Sequence, residues 1–225
     1  AIRRSAPGTD MRAFMGLVAA LALTSCAVAP PPAADPASDA PEAAFVRPRA
    51  TKLPDSYAEA IGAWRTPSEV NAWIGARFEY DHPRALQLSE SQRASGPRIR
   101  IHEPELFFER PAGVCVDLAR FAVDTLRTVA PAANAAYVMI EFDPVVVAGH
   151  TLRRHWIVRF EVDGKLYFFA DSKRPGHVAG PYHSTRQFID QYAQYRQRRI
   201  VSFRVLESYE RKLKQKAPRA NRAAG

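Results

Sequence analysis

Read as apolar and polar positions, the chain divides into segments before any single residue type has to be considered. From Met11 the stretch MRAFMGLVAALALTSC carries an apolar run that ends near Leu23. That run is too short to span a bilayer as a mature helix. Residues 27–56 are rich in Pro and Ala and almost lack large apolar side chains before Phe45. Helical spacing then begins: Tyr57 to Trp64 and Pro67 to Phe78 predict two helices, the second with Thr66 as N-cap, Pro67 at its first position, Glu69 at its third and a stripe of Val70, Trp73, Ile74 and Phe78. Residues 82–104 show no sustained period and predict a long loop with at most a short strand. From Val114 to Val129, Cys115, Leu118, Ala119, Ala122, Leu126 and Val129 recur at spacings of three and four, which predicts an amphipathic helix. Pro111 and Gly113 break the chain before it and Pro131 stops it.

The second half alternates instead. AYVMIEF, residues 136–142, predicts a strand, and HWIVRFEVDGKLYFFAD, residues 155–171, predicts a hairpin around Asp163-Gly164. A three-residue loop of Val162, Asp163 and Gly164 pairs Glu161 with Lys165, Phe160 with Leu166, Val158 with Phe168 and Trp156 with Ala170, so that one face is apolar throughout. The other face then carries Arg159 with Tyr167, Ile157 with Phe169, and His155 directly opposite Asp171. A two-residue Asp-Gly turn would set His155 and Asp171 on opposite faces.

Composition sharpens the organisation. Residues 1–10 read as sequence upstream of the start. Arg12, the apolar run and the ending Leu23-Thr24-Ser25-Cys26 read as a lipoprotein signal peptide, with cleavage before Cys26 and lipid on that cysteine; an ordinary signal peptide cut at Ala27-Val28-Ala29 is the alternative. Residues 27–56 are expected to be a disordered tether, because they bury too little apolar surface to offset their ordering entropy. A single domain is expected over residues 57–211, followed by a basic tail at 212–225. The formal net charge is +9, and from Ser184 to Gly225 eleven Lys or Arg face only Asp190, Glu207 and Glu210, so the basic character belongs to the C-terminal end. No aromatic platform accompanies that end, which argues against nucleic acid as a partner.

Chemistry enters through the stretch GVCVDLARF. Cys115 lies in the first turn of its helix, where the macrodipole and unpaired N–H groups favour a thiolate and can hold a developing oxyanion. On that helix alone a buried inert thiol and a nucleophile both remain open. The His155-Asp171 pair supplies a base and a carboxylate to orient it. His150 is a second imidazole in the same stretch, in an expected loop. Asp117 is expected to stabilise the helix start, and Tyr167 to be either core or substrate wall. His150, His177, His183 and Cys115 match no zinc spacing, so no metal and no cofactor are expected.

The order GVCVDLARF, a strand, then HW and a hydrophobic hairpin ending in AD resembles the transglutaminase-like superfamily: a Gly-x-Cys opening a helix, a His-x-x-Val strand and an Asp on the next strand. The resemblance covers roughly residues 68–175 and includes Asn71, Trp73 and Tyr80 in the segment before the catalytic helix. It implies an α+β, papain-like core, with a helix bearing Cys115 packed on an antiparallel sheet bearing His155 and Asp171. It also implies catalytic roles for those three residues. Trp73 and Tyr80, with Tyr167, are candidates for an oxyanion donor or substrate wall. The chain lacks the family's acidic calcium region and has Ala170-Asp171-Ser172 where Leu-Asp-Pro is more usual. A small thiol hydrolase, a peptidase or amidase on protein or cell-wall peptide, is therefore expected ahead of a crosslinking acyltransferase or a catalytically silent binding module. The expected setting is a monomer tethered by lipid to a bacterial envelope membrane, facing the periplasm.

Overall fold

The computed structural model describes residues 53–91, 99–147 and 149–210. Cys26, the tether as far as residue 52 and the tail from residue 211 lie outside the described residues. The fold is α+β: helices packed on a five-stranded antiparallel sheet.

Helix α1 (Tyr57–Ala63) starts where the Ser56 hydroxyl accepts from the Glu59 N–H. Helix α2 (Pro67–Arg77) starts at Thr66, whose N–H donates to Glu69 Oε2 at 2.9 Å, half of the capping box read from the sequence. Two short strands, β1 (Glu79–Tyr80) and β2 (Ala112–Gly113), pair in parallel and set Tyr80 beside Gly113. Between them lie α3 (His82–Ser91) and α4 (Pro104–Glu109). Helix α3 corrects the long loop expected over residues 82–104. Asp81 caps it by accepting from the Arg84 N–H at 2.9 Å, and Arg84 anchors it to the domain. Helix α5 (Cys115–Val129) follows β2 directly.

The sheet runs β6-β5-β4-β3-β7, built from β3 (Ala136–Val147), β4 (His150–Val162), β5 (Lys165–Phe169), β6 (Ala179–Tyr182) and β7 (Ile200–Leu206). Both of its faces are covered. On one, Tyr137, Met139, Trp156, Val158, Phe160 and Phe169 join the core of α5, with α1, α2 and α4 beyond it. On the other, Val138, Ile140, Phe142, Ile157 and Phe168 pack against Phe188, Ile189 and Tyr192 of α6 (Thr185–Tyr195). Each of those large side chains contributes about 1.5–3 kcal/mol on burial. Among the described residues no helix is long and apolar enough to cross a membrane.

The hairpin differs from the register expected above. Val162 pairs with Lys165, Glu161 with Leu166, Phe160 with Tyr167 and Val158 with Phe169. The loop is thus the two-residue Asp163-Gly164 turn, with both residues left-handed at φ 51° and 70°. With both central residues left-handed, such a turn matches the right-handed twist of the flanking strands, which an ordinary right-handed turn would splay. The expected register came from collecting apolar residues on one face, and that criterion fails here because α6 makes the second face apolar as well.

Candidate active site

The corrected register alone would separate His155 from Asp171. Strand β5 ends at Phe169, however, and Ala170 takes a left-handed conformation at φ 57°. This single residue breaks the alternation of the strand and turns Asp171 toward His155. His155 Nε2 lies 2.9 Å from Asp171 Oδ1, and both side chains are buried. The pairing foreseen from sequence is present, reached by a different backbone route.

Strand β5 pairs with β4 only from Val158 onward, so β4 has no β5 partner beside His155. There the imidazole lies close enough to the Cys115 thiol for the two groups to bias each other's protonation. With Nε2 engaged by Asp171, the Nδ1 side remains for the thiol. Burial opposes the imidazolium, yet the charge and hydrogen bond of Asp171, together with the nearby Cys115, push His155 up to about 9. Cys115 is half-buried and carries no disulfide.

Cys115 is held by the residues just before and after it. Asp117, fully buried, accepts from the Val114 N–H at 3.0 Å, from the His102 N–H at 2.9 Å, and from Arg84 through Nε and Nη2 at 2.8 Å each. Burial alone would raise this carboxyl; the guanidinium and the two N–H groups hold it below the usual carboxylate range. The helix start expected of Asp117 is therefore also a tether from α5 to α3. Gly113 is required by space: a Cβ there would sit 3.0 Å from Asp117 Cβ and 3.0 Å from Phe107 Cε2. Its carbonyl accepts from the Asp81 N–H at 2.9 Å, which fixes Tyr80 next to the thiol.

Tyr80 lies close enough to Cys115 and Asp171 to feel them. Burial first, and then negative charge on Cys115 and Asp171, push its hydroxyl far above the tyrosine range, so it remains a donor. Its ring carries the Lys173 ammonium 5.0 Å from the centroid. The other two wall candidates lie elsewhere. Trp73 is 2% exposed and packs among Phe107, Phe108 and Phe121, with ring centroids 6.5, 4.6 and 4.7 Å away, so it is core. Tyr167 stacks on Phe160 at 5.4 Å, within the hairpin.

The segment after Asp171 is pinned from two sides. Lys173 N–H donates to Asp171 Oδ1 at 2.8 Å, and the Asn71 amide donates to the Gly176 carbonyl at 2.7 Å. Gly75 of α2 and Gly176 meet backbone to backbone, a Cβ on either falling within 3 Å of the other's Cα. Three residues of the site escaped the sequence reading: Arg84, Tyr192 and Arg196. The Tyr192 hydroxyl donates to Asp171 Oδ2 at 2.8 Å, and Arg196 Nη1 donates to the Tyr192 oxygen at 2.9 Å. A signal for α6 was present in Ser184 followed by Phe188, Ile189, Tyr192 and Tyr195 at helical spacing.

Among the described residues, no group of three or more His, Cys, Asp or Glu is placed to hold a metal ion. No family model matches the chain, and no characterised protein matches it in sequence.

Proposed function

We propose that residues 57–211 form a thiol hydrolase with a papain-like core of the transglutaminase-like type, acting on amide bonds of a protein or cell-wall peptide. The observation that carries this reading is His155 itself, hydrogen-bonded to the buried Asp171 through Nε2 at 2.9 Å and near enough to Cys115 to feel its charge. A thiol, an imidazole and a buried carboxylate in that order are the parts of an activated nucleophile.

In the reaction, the Cys115 proton passes to His155, and the thiolate adds to the substrate carbonyl carbon. Collapse of the tetrahedral adduct breaks the C–N bond, and the imidazolium returns its proton to the departing amine. His155 then takes a proton from water as the hydroxyl oxygen attacks the thioester. This step releases the acid and restores the thiol. The backbone N–H of Cys115, at the first position of α5, is one of the helix-start donors without an i−4 acceptor and would serve as an oxyanion donor. Tyr80, held protonated beside the thiol, offers a second donor. Lipid attachment at Cys26 would hold this domain at an envelope membrane with a monomer's reach into the periplasm.

The test is an activity-based electrophile that labels catalytic thiols, applied to native protein. Wild type should label at Cys115, and Cys115→Ser and His155→Ala should not. Alkylation of wild-type Cys115 by iodoacetamide no faster than that of free cysteine would sink the reading.

A further inference from the structure

Helix α6 covers the sheet face opposite α5, yet it reaches the catalytic carboxylate. We infer that Tyr192 and Arg196 are positioning residues that clamp the outer oxygen of Asp171 and limit how tightly it holds the His155 imidazolium. The inference rests on reading Cys115, His155 and Asp171 as a thiol catalytic site.

The geometry divides Asp171 into two halves. Oδ1 faces the reaction, accepting from His155 Nε2 at 2.9 Å and from the Lys173 N–H at 2.8 Å. Oδ2 faces α6, accepting from the Tyr192 hydroxyl at 2.8 Å, with Arg196 Nη1 3.9 Å away. Tyr192 is fully buried, and its ring lies parallel to the His155 ring at 8° with centroids 6.2 Å apart. The Arg196 guanidinium is held in turn over the rings of Phe142 and Tyr192, at 5.9 and 5.6 Å. One turn of helix thus presents an O–H and a cation to the same oxygen.

The consequence is electrostatic. A donor and a positive charge at Oδ2 draw negative charge away from Oδ1, and the guanidinium also repels the imidazolium. Both effects weaken the hold on the His155 proton without removing the carboxylate that orients the ring. A general acid must give up that proton to the leaving amine, so an unclamped Asp171 would hold it too firmly. Among the described residues, the charged and titratable groups that bear on His155 are Cys115 from α5, Asp171 from the segment after β5, Tyr192 from α6 with Arg196 just past its end, and Tyr80 by way of Cys115 and Asp171. Of these, Tyr192 and Arg196 can be replaced without touching the triad or the thiol side of the imidazole.

The experiment follows His155 by imidazole NMR against pH in Cys115→Ser, Cys115→Ser/Tyr192→Phe and Cys115→Ser/Arg196→Gln full-length protein. Tyr192→Phe keeps the stacked ring and removes one hydrogen bond; Arg196→Gln removes the charge. Both variants should lose the His155 proton at higher pH than their parent, with the larger rise for Arg196→Gln. A residue that only supports the fold would lower the melting temperature and leave the titration unchanged, or lower it by freeing Asp171 to turn away. An unchanged or lowered His155 titration overturns the inference. If Arg196→Gln does not fold, Tyr192→Phe decides it alone. Failure of the thiol-enzyme reading shows elsewhere, in ordinary iodoacetamide reactivity of wild-type Cys115, and leaves this titration readable.

Discussion

Replacing Arg84 with methionine keeps most of the side chain's volume and removes the guanidinium bonded to Asp117. In the folded protein that carboxylate is 0% exposed and receives two of its four hydrogen bonds from Arg84. The His102 and Val114 N–H groups remain, but near pH 7 the charge is left buried without a guanidinium, since burial holds the His102 imidazole, its Nδ1 3.9 Å away, below the usual histidine range. Breaking a buried pair from one side costs about 3–5 kcal/mol, far above the 0–1 kcal/mol of an exposed pair. The sign of the pH dependence follows from the depressed Asp117 carboxyl. Its stabilising contribution is present above the unfolded value of about 3.9 and is lost as pH falls through the lower folded value. In Arg84→Met burial dominates and that carboxyl rises, so the deficit should be largest near pH 7 and shrink toward pH 4. Urea unfolding of wild type, Arg84→Met, Asp117→Asn and the double variant at both pH values measures this. The double variant should be more stable than the sum of the two single losses allows, because it buries no lone charge. A deficit under 1 kcal/mol at pH 7, or one that does not change with pH, would refute the argument that Arg84 holds the start of the Cys115 helix through this carboxylate.

Other outcomes are accessible to similar measurements. His155 is raised to about 9 in the folded protein, so its stabilising contribution should be complete below about pH 6.5 and lost as pH rises through 9; melting of wild type against Asp171→Asn at pH 6 and pH 9.5 should show the gap between them narrowing at the higher value. Gly113→Ala must push a new Cβ against Asp117 and Phe107 at 3.0 Å and should lose about 1–3 kcal/mol in urea unfolding, with slower Cys115 alkylation. Gly164→Ala places a side chain at φ 70° in open space, so the loss should be backbone strain alone, about 1–2 kcal/mol, with alkylation of Cys115 unchanged.

What the sequence made legible follows the range of the forces involved. Helices α2 and α5 were readable because caps, breakers and a long stripe act locally, and their observed bounds lie within a residue of those expected. Helix α3 was not read, although Asp81 and Pro83 are start signals, because its apolar stripe is weak and much of its anchorage is the distant Arg84–Asp117 pair. The hairpin was found and its register missed, since deciding the register required knowing that α6 covers the second face. Trp73 drew attention because it lies in the segment that resembles the one before the family's catalytic helix, whereas here its indole fills the space between α2, α4 and α5. Tyr192 and Arg196 lie more than twenty residues beyond Asp171 by sequence and meet it only through tertiary packing, which no local pattern encodes.

Ala170 has a consequence for how such a site can drift. In a regular strand, inserting one residue into the preceding turn would carry every later side chain to the opposite side, and the carboxylate that meets His155 with it. A left-handed residue placed directly before the carboxylate cancels one such inversion. The length of the hairpin turn and the handedness of residue 170 are therefore interchangeable solutions to one geometric condition. Related chains with a three-residue turn should carry an ordinary extended residue at this place, and those with Asp-Gly should carry a residue that tolerates positive φ.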